Sequence, residues 1–152
     1  MKEKSLIPII ILIIYALILG TGCTTKATTQ LTSIQSTAGS PAPGVPTISV
    51  QDAYALIRNN QGNPNFVILD VRTADEFNSG YIAGTINIDY YSSEFKTNIG
   101  KLDKNKRYLV YCRTGIRGAA SVQIMMDLGF KQTQNMAGGI TEWIQDGYPT
   151  VK

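Results

Sequence analysis

The chain has no histidine and only two cysteines among its 152 residues. The missing histidine removes both the commonest general base near neutral pH and the commonest metal ligand. Cys23 and Cys112 stand far apart in the sequence with no C-x-x-C pair, so no zinc-ligand spacing exists. Neither a metal nor a cofactor is expected. Charged residues make up 16% of the chain, the formal net charge is +3, and the basic residues are scattered along the sequence. No cluster of Lys and Arg is dense enough to suggest nucleic-acid binding. No internal repeat is present. What remains is ordinary hydrophobic content and a length that suits one domain with additions.

The first addition is N-terminal. Lys2 and Lys4 form a short positive start, and Leu6 to Leu19 is almost wholly apolar, interrupted by Pro8 and Tyr15. Gly20-Thr21-Gly22-Cys23 then closes the run with small residues. A basic start, an apolar stretch and a small-residue end read as a secretory signal rather than a core helix. Small residues directly before a cysteine resemble the lipobox of prokaryotic lipoproteins, although Gly20 stands where that family usually has Leu. The resemblance implies cleavage after residue 22 and a lipid on the Cys23 thiol. An uncleaved signal anchor is the alternative, because no charge falls between Lys4 and Lys26. Both readings place the rest of the chain outside the cytoplasmic membrane and tether it there.

Residues 23–46 are rich in Thr, Ser, Gln, Ala, Gly and Pro, with Lys26 the one charge and Leu31, Ile34 and Val45 too few to build a core. This composition predicts a flexible tether, reaching roughly 25–30 Å as a random coil. Residues 47–152 form the folded part, a size able to bury one core. There strand and helix signals alternate. Ser49 caps a helix over Val50–Arg58, Phe66–Leu69 is a buried strand, and Thr73-x-x-Glu76 is a capping box opening a short helix that ends at Gly80. Thr85–Ile88 is a short strand, Ser92–Ile99 a weak helix and Tyr108–Tyr111 a second buried strand. Arg113–Gly118 reads as a loop, Ala119–Leu128 as a helix closed by Gly129, Lys131–Met136 as a strand and Thr141–Gln145 as a last helix. Apolar strands followed by helices predict a mostly parallel sheet covered on both faces, with ligands at the carboxyl ends of the strands.

Cys112 stands at such an end. A thiol reacts as its thiolate, and three features of the loop favour the anion. A helix N-terminus follows. Gly115 and Gly118 let successive amides curl inward as an anion-binding nest. Arg113 and Arg117 add fixed positive charge. The thiolate is then made by field and hydrogen bonds rather than by an adjacent base. The same nest would hold a group carried on the sulfur. An inert strand-end cysteine is the competing reading, since free cysteine is often buried.

Five ordered motifs now coincide: Asp70-Val71-Arg72; Glu76-Phe77; Gly80 through Ile88; Tyr111-Cys112-Arg113-Thr114-Gly115-Ile116-Arg117; and Gly129-Phe130 followed by Gly138-Gly139-Ile140-x-x-Trp143. Together they resemble the rhodanese homology domain over nearly all of residues 47–152. The resemblance implies a three-layer α/β fold with a parallel five-stranded sheet and helices on both faces. It implies sulfur transfer through a cysteine persulfide, with thiosulfate or a persulfide as donor and a thiol, cyanide or protein as acceptor. Cys112 would be the nucleophile and Arg113, Thr114, Gly115, Ile116 and Arg117 the cradle, with Arg117, and Arg113 beside it, contacting an anionic donor. Asp70 and Arg72 would be a charge pair fixing the neighbouring loop, and Trp143 would pack the core. Tyr81 replaces the family's usual His, and Gly118 its usual Ser or Ala, which would loosen the cradle slightly. Related phosphatases need five residues between Cys and Arg, whereas four separate Cys112 from Arg117, which favours sulfur over phosphate. Two other functions compete with sulfur transfer: a non-catalytic docking module, and thiol redox exchange, which lacks a resolving cysteine here.

Overall fold

The computed structural model describes residues 44–152. The expected leader (residues 1–22), Cys23 and the tether up to residue 43 lie outside the described residues.

Five strands make one sheet: β1 (Thr47–Ile48), β2 (Phe66–Asp70), β3 (Thr85–Asn87), β4 (Arg107–Tyr111) and β5 (Gln132–Met136). Their order is β1-β5-β4-β2-β3 and every pairing is parallel. The connections are helices α1 (Val50–Asn59), α2 (Ala74–Asn78), α3 (Phe95–Gly100) and α4 (Ile116–Asp127), with α5 (Gly139–Gln145) after the last strand. This is the three-layer α/β arrangement the motifs implied. Among the described residues no helix is long and apolar enough to cross a membrane.

Successive strand side chains point to opposite faces, and β4 shows how that period builds two cores. Tyr108 and Val110 join Leu69, Phe95, Ile99, Val122 and Met125 under α3 and α4. Leu109 and Tyr111 join Val50, Ala53, Met136, Ile140 and Trp143 under α1 and α5. Burial on both faces is why β4 reads as a continuous apolar run. Trp143 packs this second core, its indole N–H donating to Pro149 O at 3.0 Å.

Several element boundaries differ from the sequence expectation by one to three residues, and three departures bear on the site and its support. Val45, placed in the tether by composition, is buried against the α3–α4 core, so the folded unit begins before Thr47. β1 has two residues and was not expected from pattern. α4 begins at Ile116 rather than Ala119. Gly115 caps it in the left-handed conformation, at φ 92°, so a glycine expected within a loop is also the residue that starts the helix. Gly118, read as loosening the cradle, lies inside α4 against Asn135 of β5. A Cβ there would collide with Asn135 Oδ1. Asn135 is buried and its Oδ1 has no hydrogen-bond partner. The glycine makes room for this amide. Gly118→Ala is therefore expected to lower stability by about 1–3 kcal/mol through overpacking, despite alanine's better helix propensity. Thermal unfolding checks this, and adding Asn135→Ala should restore most of the loss.

Candidate active site

The carboxyl ends of β2 and β4 lie side by side, with Asp70 opposite Tyr111 in register and Val71 N–H donating to Tyr111 O at 2.9 Å. Cys112 follows β4 directly and is 1% exposed. The chain then turns through Arg113, Thr114 and Gly115 into α4. Gly115 N–H donates to Cys112 Sγ at 3.2 Å. Twelve residues of helix stand behind it, and the unpaired amides of its first turn carry the positive end of the helix dipole. Of the cradle residues, Arg113, Thr114 and Ile116 are exposed and Gly115 is buried. Ile116 and Arg117 belong to the first turn of α4 rather than to a loop.

α5 holds the cradle from the other side. Ile140 N–H donates to Cys112 O at 2.9 Å, and Thr141 N–H donates to Arg113 O at 3.0 Å. This contact depends on Gly138 and Gly139, both at positive φ (69° and 59°). The Gly-Gly pair thus permits a close contact between the start of α5 and the carbonyls of the cysteine turn.

Asp70 and Arg72 form a buried pair beside this turn. Arg72 Nη2 lies 2.6 Å from Asp70 Oδ2. Arg72 Nε donates to both carboxylate oxygens, its amide donates to Oδ1, and Nη2 also donates to Gly80 O at 2.7 Å. Its guanidinium lies 5.7 Å from the Tyr111 ring centroid. Burial pushes the Tyr111 phenol well above its usual range, and its hydroxyl accepts from Ile82 N–H. The pair joins the β2 end to the segment before β3, and neither side chain lines the mouth of the site.

The mouth is a shallow depression of about 400 Å³ lined by Glu76, Tyr91, Arg113, Thr114, Ile116 and Arg117. Arg117 makes two parallel bonds to Glu76, Nη1 to Oε2 at 2.8 Å and Nη2 to Oε1 at 2.7 Å. Its guanidinium also lies 5.3 Å from the Tyr91 ring centroid. Glu76 Oε2 at the same time accepts from the Thr73 amide and hydroxyl in the capping box of α2. The hydrogen bonds from Arg117 bring the Glu76 carboxyl down to about 2, against an opposing effect of burial and with help from the Thr73 amide. Among the described residues Arg113 has no ion-pair partner, which leaves it as the uncommitted cation at the mouth. Glu76 and Tyr91 were not expected at the site. Glu76 stood in a quoted motif, but nothing in the sequence joins it to an arginine 41 positions away. Tyr91 carried no signal.

A lowered carboxyl stabilises the fold above its unfolded value of about 4.5, and that stability is lost as the pH falls toward 2. Glu76→Gln should therefore flatten the pH dependence of unfolding in that window, with the difference from the parent shrinking below about pH 2. Chemical denaturation at a series of pH values checks this. High salt should reduce the effect, because the pair is partly exposed.

A larger cleft of about 500 Å³ lies elsewhere, lined among others by Tyr54, Ile57, Phe66, Ile82 and Trp143. It includes none of the cysteine turn. No group of His, Cys, Asp and Glu able to hold a metal occurs among the described residues.

Comparison with known proteins agrees with this architecture. The chain is 30% identical over 96 residues to the thiosulfate sulfurtransferase GlpE of Coxiella burnetii, covering 63% of this chain and 84% of that one. It is 30% identical over 96 residues to the thiosulfate:glutathione sulfurtransferase of Saccharomyces cerevisiae, covering 56% and 69%. The crystal structure of a rhodanese-related protein from Thermoplasma volcanium superposes with a TM-score of 0.60 at 36% identity, covering 70% of this chain and 97% of that one. Residues 51–146 match the Rhodanese-like domain, and the chain belongs to that family.

Proposed function

We propose that this domain is a sulfurtransferase that carries sulfane sulfur on Cys112 and works outside the cytoplasmic membrane, held there by its N-terminal segment. The observation that carries the reading is Cys112 Sγ accepting from the Gly115 amide at the start of α4. That geometry suits a sulfur that bears negative charge both before and after it receives a second sulfur.

The thiolate of Cys112 attacks the outer sulfur of thiosulfate. A new S–S bond forms, the S–S bond of the donor breaks, and its electron pair leaves with sulfite. The product is a Cys112 persulfide anion. An acceptor thiolate then attacks the outer sulfur of that persulfide, taking it as a new persulfide and returning the Cys112 thiolate. No oxidant or metal is consumed in either half. A cysteine that is 1% exposed admits a slender terminal sulfur better than a bulky group. Arg113 supplies the cation that draws in an anionic donor, while Arg117 is held by Glu76 and shapes the wall. The names of the Coxiella and Saccharomyces relatives support thiosulfate as donor. The apolar run from Leu6 to Leu19 and Cys23 support the tether, by lipid or by an uncleaved anchor.

The reduced protein should gain about 32 Da on incubation with thiosulfate, the mass of one sulfur, on the peptide containing Cys112 and reversibly with dithiothreitol. A folded, reduced sample that gains no sulfur from thiosulfate or polysulfide would overturn the reading.

A further inference from the structure

The fold joins a basic stretch, Lys101 to Arg107, to Lys131 at one end of the domain. Lys101, Lys104, Lys106 and Arg107 lie where α3 leads into β4, and Lys131 precedes β5, the strand beside it. Lys131 N–H donates to Lys104 O at 3.2 Å, and Lys131 Nζ donates to Asn105 Oδ1 at 2.8 Å, so the two segments touch. Lys101, Lys104 and Lys131 are exposed. Asp103 and Asp127 are the acidic residues in these segments, against five basic ones. The remainder of residues 44–152 has the opposite balance, six basic against eight acidic. The domain is therefore polar in charge, with a positive face at the amino ends of β4 and β5.

The site is at the other end. β4 runs from Arg107 to Tyr111 and delivers Cys112 at its carboxyl end, about 16 Å further along the strand. β1 is parallel to β5, so the chain arriving from the N-terminal segment enters the sheet travelling from the basic end toward the cysteine end. We propose that the basic face is a docking surface for anionic lipid headgroups, and that the domain sits on the membrane with its amino ends down and Cys112 turned toward solution. This rests on the tethered reading. Tethering keeps the domain within reach of a membrane, and the positive face then selects one orientation out of the many a flexible linker permits. The attraction acts only within about 10 Å at 0.1 M salt, so it needs the concentrating effect of the tether to matter.

Residues 44–152 close both of their cores internally, and the matched region is 97% of the Thermoplasma chain, so this unit folds by itself and can be tested without its apolar leader. Vesicles of phosphatidylcholine with about one-third phosphatidylglycerol should bind it at low salt, and vesicles of phosphatidylcholine alone should not. Each exposed lysine near the surface contributes about a fivefold change in partitioning. Replacing three together, Lys101→Gln, Lys104→Gln and Lys131→Gln, should weaken binding by about 100-fold while thermal unfolding stays that of the parent. On bound vesicles Cys112 should react with a water-soluble alkylating reagent as fast as in free solution. Equal binding to neutral and anionic vesicles, an unchanged triple variant, capture by DNA or heparin but not by vesicles, or shielding of Cys112 on binding would each overturn the proposal. None of these readouts needs sulfur transfer, so a failure to form the persulfide is registered separately. Loss of the full chain from the membrane fraction on removing residues 1–22 reads the tether by itself.

Discussion

Cys112→Ser is expected to fold as the parent does and to lose sulfur transfer by at least about 10³-fold. The two halves of that expectation come from different features. The side chain is buried and small, and its polar contact is acceptance of the Gly115 N–H. A serine hydroxyl is slightly smaller and accepts the same bond, so no amide is orphaned and the stability change should stay within about 1 kcal/mol. The chemistry has no such substitute. A hydroxyl in this cradle has no base to take its proton, since the chain contains no histidine and the carboxylate at the mouth is committed to Arg117. Field and amides can favour a thiolate, but they do not bring a serine to an alkoxide at neutral pH. Steady-state sulfite release from thiosulfate, read beside a thermal melt, separates the halves. A serine variant that keeps its turnover would remove Cys112 from the mechanism. One that loses turnover while keeping a partner-dependent cellular role would mean that the domain also docks something.

The site was legible in the sequence where it is contiguous. The stretch from Tyr111 to Arg117 is one turn between a buried strand and a helix, so its residues must be neighbours whatever the rest of the chain does. Asp70 and Arg72 were legible for a similar reason, being two positions apart at the end of the adjacent strand. What could not be read was contact between distant segments. Glu76 looked complete as the N3 partner of Thr73 in a capping box, and its second task, holding Arg117, appears only once α2 and α4 are packed together. β1 has two residues, too few for any period to show, and it exists because β5 offers an edge. Val45 was assigned to the tether because its neighbours are Pro and Gly, yet it fills space beside the α3–α4 core. The start of α4 was placed late because Gly115 and Gly118 both weigh against helix by propensity. One is a left-handed cap and the other is required by Asn135, and both reasons lie outside the local sequence. The basic face shows the same limit. Lys101 to Arg107 and Lys131 are apart in sequence and become one surface only through the β4–β5 pairing.

The Gly-Gly pair before α5 carries the second large effect. Gly139→Ala should destabilise the domain by about 2–4 kcal/mol and impair sulfur transfer beyond what the lost stability explains. At φ 59° an alanine is strained wherever it sits, at about 1–2 kcal/mol. Here its Cβ would also collide with Cys112 O and approach Arg113 C and O to 2.6 Å. These are backbone atoms, so no side chain can swing aside. Either α5 withdraws or the cysteine turn shifts. Withdrawal breaks the bonds from Ile140 and Thr141 to the two carbonyls and loosens Trp143 and Ile140 from the second core. A shift of the turn moves the Gly115 amide relative to Sγ, and a displacement of about 1 Å at a reacting group can cost about 100-fold in rate. Gly138→Ala is the useful companion. Its added Cβ would meet the Glu142 carboxylate, which can turn outward, and Glu142 Cβ at 2.6 Å, which cannot, while none of the nearest atoms belongs to the cysteine turn. It should therefore lose stability through this clash within α5 and its own positive φ of 69° and leave turnover per folded molecule close to the parent's. Measuring turnover at a temperature where both variants are fully folded decides the matter. Equal activity in the two would mean that α5 supports the fold alone, whereas a selective loss in Gly139→Ala would make the start of α5 the part that positions Cys112.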